Sequence, residues 1–164
     1  MTTSLLYHAF CVRSYSLLRT EYRDGSVYAH LQKKRYARRC AACHHPGVTL
    51  EGCAEVKVRT LPIGRRRVFL VLHLHRLRCR RCGQLKQEPR DLAPPRKSYS
   101  FALARLVLDL CQQMTLSAVA QYLQLNWHVC KDILLSDLSR TRRTAAKRTF
   151  ERAAVERHCA NDVL

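Results

Sequence analysis

In the first third of the chain, hydrophobic positions recur at every second residue. Val27, Ala29 and Leu31 alternate with Tyr28, His30 and Gln32, directly after Asp24-Gly25. An Asp-Gly pair reaches the positive φ angles of a tight two-residue turn, so "SYSLLRTEYRDGSVYAHLQKK" predicts a β-hairpin. Period two returns in 54–60 ("AEVKVRT") and 67–78 ("RVFLVLHLHRLR"), where Val68, Leu70, Leu72 and Leu74 share a face. The intervening "LPIGR" is expected to break both strands through its proline and glycine. The stretch 86–100 ("KQEPRDLAPPRKSYS") is proline-punctuated and poor in apolar residues, and reads as a linker.

Beyond it the period changes to 3.6. Leu103, Leu106, Val107, Leu110, Cys111 and Met114 follow helical spacing. So do Leu116, Val119, Ala120 and Leu123 after the N-cap candidate Thr115, and Trp127, Cys130, Ile133 and Leu134 after Asn126. The expected architecture is α+β. A β-hairpin-rich four-cysteine zinc-binding domain (1–85) is followed by a linker (86–100), a three-helix helix-turn-helix domain (101–138) and a basic tail (139–164).

Charge narrows the partners. Lys and Arg number 30 against 12 Asp and Glu, a formal charge of +18 over 164 residues. Polyanions are the natural partners of such a chain, and no apolar run approaches the ~18 residues of a bilayer span. Double-stranded DNA is therefore favoured over a membrane. The start, "MTTSLLYHAFCVRSYSLL", lacks a basic leader, an apolar stretch and a small-residue cleavage site. With an odd number of cysteines, nine, a reducing compartment and a metal site are expected before a disulfide framework. The expected location is cytoplasmic and nucleoid-associated.

Four of these cysteines form two Cys-x-x-Cys pairs, Cys40/Cys43 and Cys79/Cys82. Structural zinc takes four thiolate or imidazole ligands in a tetrahedron, and each such turn lets two sulfurs converge on one ion. The long stretch between the pairs is expected to fold back as the 54–78 hairpin and bring them together. Arginines 38, 39, 80 and 81 suit an exposed turn. His44, His45, His73, His75 and Cys53 are alternative donors, while Cys11, Cys111, Cys130 and Cys159 are expected to be unliganded. A thioredoxin-type redox pair is disfavoured because no parallel βαβ pattern surrounds either motif.

In "MTLSAVAQYLQLNWHVCKDILLSDL" a helix ending near Leu123, the turn Gln124-Leu125-Asn126 and a helix starting at Trp127 have helix-turn-helix spacing. Ala120 is small where the helices cross. If the last helix enters a major groove, His128, Lys131 and Asp132 are the candidates for reading base edges, and Trp127 at its start is a further DNA-binding candidate. Arg65, Arg66, Arg67, Arg80, Arg81, Arg96 and Lys97, together with Arg142-Arg143, are candidates for phosphate contacts.

The order Cys-x-x-Cys, "RTLPIGRRRVFLVLHLHRLRCRRC", basic linker and "MTLSAVAQYLQLNWHVCKDIL" resembles the N-terminal half of the ISL-type insertion-sequence transposases of bacterial mobile elements, over roughly residues 5–138. The resemblance implies that Cys40, Cys43, Cys79 and Cys82 hold zinc, and that the two domains bind the inverted repeats at element ends. The family continues into a catalytic domain whose three carboxylates hold two metal ions. Here the acids beyond Arg140 are Glu151, Glu156 and Asp162, on a basic tail. A sequence-specific DNA-binding module without that catalytic function is the expectation, with a second copy of the chain or a full-length transposase as protein partner. A standalone regulator of transcription or transposition is the alternative. A nuclease is disfavoured by the missing carboxylate cluster, and an RNA-binding zinc protein by the few aromatics available for stacking bases.

Overall fold

The computed structural model describes residues 3–10 and 12–141. The tail beyond 141, with Arg142, Arg143, Glu151, Glu156, Cys159 and Asp162, lies outside the described residues, as does Cys11. The fold is mixed α+β, a five-stranded sheet with a four-cysteine cluster followed by three helices, as expected. Two compact units divide between Leu106 and Val107.

The first unit begins with α1 (Thr3–Phe10), on which no expectation had fallen. Strands β1 (Tyr15–Arg23) and β2 (Ser26–Lys33) then form the expected hairpin. Asp24 and Gly25 both have positive φ, 49° and 66°, as a type I′ turn demands. The second hairpin is longer than its apolar alternation suggests: β3 (Val48–Ile63) and β4 (Arg66–Cys79) are 16 and 14 residues long. Pro62 does not end β3, because the register shifts between Thr60 and Ile63 and the bulge absorbs the proline. The chain reverses at Gly64, φ +58°. A short β5 (Leu85–Gln87) pairs with β4.

The strand order is β1-β2-β4-β3, so the two hairpins join through a parallel β2–β4 contact. Val27, Ala29 and Leu31 sit opposite Val68, Leu70 and Leu72, which places the apolar sets of both hairpins on one face. That face is the core. Leu6 and Phe10 of α1, Val12, Tyr15, Val58, Leu74, Leu92 and Ala93 complete it. Leu92 and Ala93 belong to the segment read as a linker, and it lies against this unit. Arg59 donates its amide to the Ser98 carbonyl and accepts from the Ser100 amide, Tyr99 is buried, and Lys33 pairs with Asp91.

Helix α2 (Phe101–Leu110) carries the division between units. In the second unit a turn leads into α3 (Leu116–Leu123), and a last helix, α4, covers 127–141 of the described residues. The Thr115 hydroxyl accepts the Ala118 amide and the Asn126 side chain accepts the His128 amide, so both expected caps form. Val107, Val119, Leu123, Cys130 and Ile133 are buried. Met114 and Trp127 are exposed although their spacing matches the buried series.

Candidate functional site

The first Cys-x-x-Cys turn follows β2, and the second begins at the last residue of β4. Val48 opposite Cys79 and the Arg80 amide on the Gly47 carbonyl stitch the ends of the long hairpin together, so the two turns meet. All four sulfurs lie within 4.8 Å of one another, with Cys40 Sγ to Cys82 Sγ 3.6 Å and Cys43 Sγ to Cys79 Sγ 3.5 Å. A tetrahedral ion bound at ~2.3 Å per sulfur needs edges of about 3.8 Å. The cluster therefore fits a metal ion with little adjustment.

The two turns share one backbone plan. Cys40 and Cys79 donate their amides to the carbonyls of His45 and Gln84, and their carbonyls accept from His44 and Gly83. The amides of Ala42 and Arg81 point at the sulfurs of Cys40 and Cys79, each at 3.4 Å. These dipoles favour thiolate over thiol: the amides of Cys43 and Ala42 hold the Cys40 thiol down at about 6, and those of Cys82 and Arg81 lower Cys79. The residue after each second cysteine is left-handed, His44 with φ 56° and Gly83 with φ 69°. Sequence inspection missed this equivalence because one position is histidine and the other glycine.

None of the alternative donors joins the cluster. His44 takes the left-handed position of the first turn, His45 Nδ1 accepts the Gly47 amide, and His73, His75 and Cys53 lie on the two strands, so the four cysteines alone make up the cluster among the described residues. Arg38 departs from its expected exposure. Its side chain is 11% exposed, and its Nε lies 3.1 Å from the carboxylate of Glu88, whose side chain is 0% exposed and also accepts the His75 amide. Arg39, Arg80 and Arg81 are exposed.

In the second unit Gln124 is left-handed (φ 51°, ψ 47°), and its amide and that of Leu125 return to carbonyls of α3. That is the tight reversal a helix-turn-helix uses, achieved without glycine. Cys130 and Ile133 face inward, whereas Trp127, His128 and Lys131 are exposed on the first turns of α4 and Lys131 Nζ sits 5.2 Å from the Trp127 ring. Asp132 is half-buried. Burial raises the thiols of Cys111 and Cys130, which marks them as packing residues.

The phosphate candidates fall at three places on the first unit. Arg65 and Arg66 are exposed and Arg67 half-buried at the start of β4; Arg80 and Arg81 follow its end. Fourteen residues of strand at ~3.3 Å each separate these groups by about 45 Å. Arg96 is exposed with positive φ and Lys97 is half-buried. The open face of the sheet holds a feature the sequence concealed: Tyr28 and Phe69, cross-strand partners, stack at 5.1 Å and 15° beneath Lys57 Nζ, which lies 4.6 and 4.1 Å from the two rings.

No helix among the described residues is long and apolar enough to cross a membrane. No family model matches the chain, and neither a curated protein nor a solved structure matches it.

Proposed function

We propose that the chain is a zinc-dependent, sequence-specific DNA-binding module of transposase type, in which the tetracysteine unit and the helix-turn-helix engage one duplex. One observation carries the reading: after a capped, glycine-free reversal, α4 turns Cys130 and Ile133 inward and leaves Trp127, His128 and Lys131 exposed on its N-terminal turns, in a chain of charge +18. Those are the positions from which a recognition helix reaches base edges. Zinc is the ion of choice because four thiolates at tetrahedral spacing suit its geometry and softness, and here its role is to fix the fold.

On this reading Arg65, Arg66 and Arg67 at one end of β4, and Arg80 and Arg81 at the other, bind phosphates. A separation of about 45 Å corresponds to roughly 13 base pairs at ~3.4 Å per step. The mobile-element ends implied by the sequence resemblance are the proposed target, and binding without strand cleavage is the proposed activity. Regulation of transcription or transposition by the same contacts is the alternative use.

The test is selection from random duplexes, followed by affinity measurements on the selected site. Lys131→Ala and His128→Ala should relax sequence preference, whereas replacing Arg65, Arg66 and Arg67 together should weaken all duplexes alike. If the arginine variant alters preference and the α4 variants do not, the recognition element is not α4. The Tyr28–Phe69 stack under Lys57 favours a second reading, single-stranded nucleic acid on the open sheet. Phe69→Ala would then abolish single-strand binding and spare the duplex.

A further inference from the structure

The open face of the sheet also carries a row of ligating side chains separate from the four cysteines. Each strand of the path β1-β2-β4-β3 contributes one: Glu21, His30, His73 and Glu55. His30 Nε2 lies 3.4 Å from Glu21 Oε1, His30 Nδ1 lies 3.1 Å from His73 Nε2, and His73 Nδ1 lies 3.5 Å from Glu55 Oε1. The row is carboxylate, imidazole, imidazole, carboxylate. His30's side chain is 7% exposed and His73's 19%, against 43% and 59% for the two acids. Arg19 also binds Glu21, at 2.8 Å.

Two neutral imidazoles bring one N–H apiece to three close contacts. Where the outer nitrogens carry those hydrogens, toward the acids 3.4 and 3.5 Å away, the inner nitrogens, His30 Nδ1 and His73 Nε2, face each other with lone pairs across 3.1 Å, a spacing that one cation can bridge.

We propose that this cation is a divalent metal ion of the imidazole-preferring class, zinc, nickel or cobalt, held by His30 Nδ1 and His73 Nε2. Two nitrogens ~2.1 Å from one ion are about 3.0 Å apart at a right angle and about 3.4 Å apart in a tetrahedron, and the observed spacing falls between. An outer N–H donated to a carboxylate is the arrangement that fixes the tautomer and orientation of a ligating histidine. Both rings have it. The two acids balance the charge of the ion, and its remaining positions face the open side of the sheet, where water completes the shell. His75 is not a ligand, because its Nε2 takes the Gln32 amide at 2.8 Å.

The probe is zinc alone, added by equilibrium dialysis to protein whose cysteine site is already filled, with histidine ring nitrogens followed by NMR. The expected result is about two zinc ions per chain instead of one, with the second shifting the His30 and His73 ring resonances. His73→Gln, at the more exposed ring, should remove the second ion and retain the first. Glu55→Gln keeps both ligands and should weaken the second ion by about 10-fold or more. A single equivalent in the wild type with unmoved ring resonances at millimolar zinc would mean that a proton holds the row, and would overturn the proposal. So would a second equivalent that survives both His73→Gln and His30→Gln. Neither readout depends on DNA binding.

Discussion

Replacing Arg38 tests whether the arginines around the cysteine turns serve the fold or the surface. Arg38→Met leaves the Glu88 carboxylate, 0% exposed, with the His75 amide at 2.9 Å as the bond that remains between it and the described chain. A buried charge stripped of its partner costs about 3–5 kcal/mol, a large share of the ~5–15 kcal/mol total of a small domain. Glu88→Gln should cost less, about 1–3 kcal/mol, because the amide oxygen still accepts from His75 and the Arg38 side chain, unlike that of Glu88, is partly exposed. The double variant Arg38→Met/Glu88→Gln removes both charges and keeps the backbone bond, so it should be more stable than Arg38→Met alone. The expected coupling is at least ~1.5 kcal/mol, within the range for contacting residues. Urea unfolding of cobalt-loaded protein, followed by thiolate-to-cobalt absorption, reports the cysteine unit directly. A loss under ~1 kcal/mol for Arg38→Met, or additive single-variant effects, would refute the buried pair. Arg38→Met should also leave the salt dependence of DNA binding unchanged.

Further predictions bear on the metal, the turns and the interface. Cys79→Ser, or chelation of the wild type, should lose the tetracysteine ion and unfold the first unit, since structural zinc supplies ~10 kcal/mol or more to such sites; metal analysis with far-UV dichroism checks this, and a variant that keeps full zinc and stability refutes it. His44→Gly should stabilise by about 0.5–1 kcal/mol by relieving a left-handed histidine. Gly83→Ala should destabilise by about 1 kcal/mol, for conformational reasons alone because a Cβ there meets nothing within 4 Å; metal-loaded thermal melts measure both. Thr115→Ala should cost the helical unit about 1 kcal/mol through loss of its N-cap, read as a shift in the tryptophan fluorescence transition. Duplex affinity should fall with salt at a log–log slope near −5 if about six phosphates are neutralised, and a slope near zero would count against the arginine clusters.

Local order was legible wherever a residue's own stereochemistry decides the outcome. Asp24-Gly25 specifies its turn, Thr115 and Asn126 cap the helices, and the two Cys-x-x-Cys pairs announce a four-sulfur site. The alternation of Val27, Ala29 and Leu31, and of Val68 through Leu74, marks one buried face per hairpin. What decides how the hairpins join is the requirement that both apolar faces meet one core. That produces the parallel β2–β4 register, in which strands far apart in the chain become neighbours. Everything on the opposite face follows from that register. His30 and His73, and Tyr28 and Phe69, touch because β2 and β4 pair at one particular offset, and a slip by one residue would turn every side chain over. Arg38 likewise reads as one surface cation among several until Glu88, fifty positions on, is folded beneath it. Pairings between distant residues carry no period and no short motif, so they exist only once burial has selected a single arrangement of the strands.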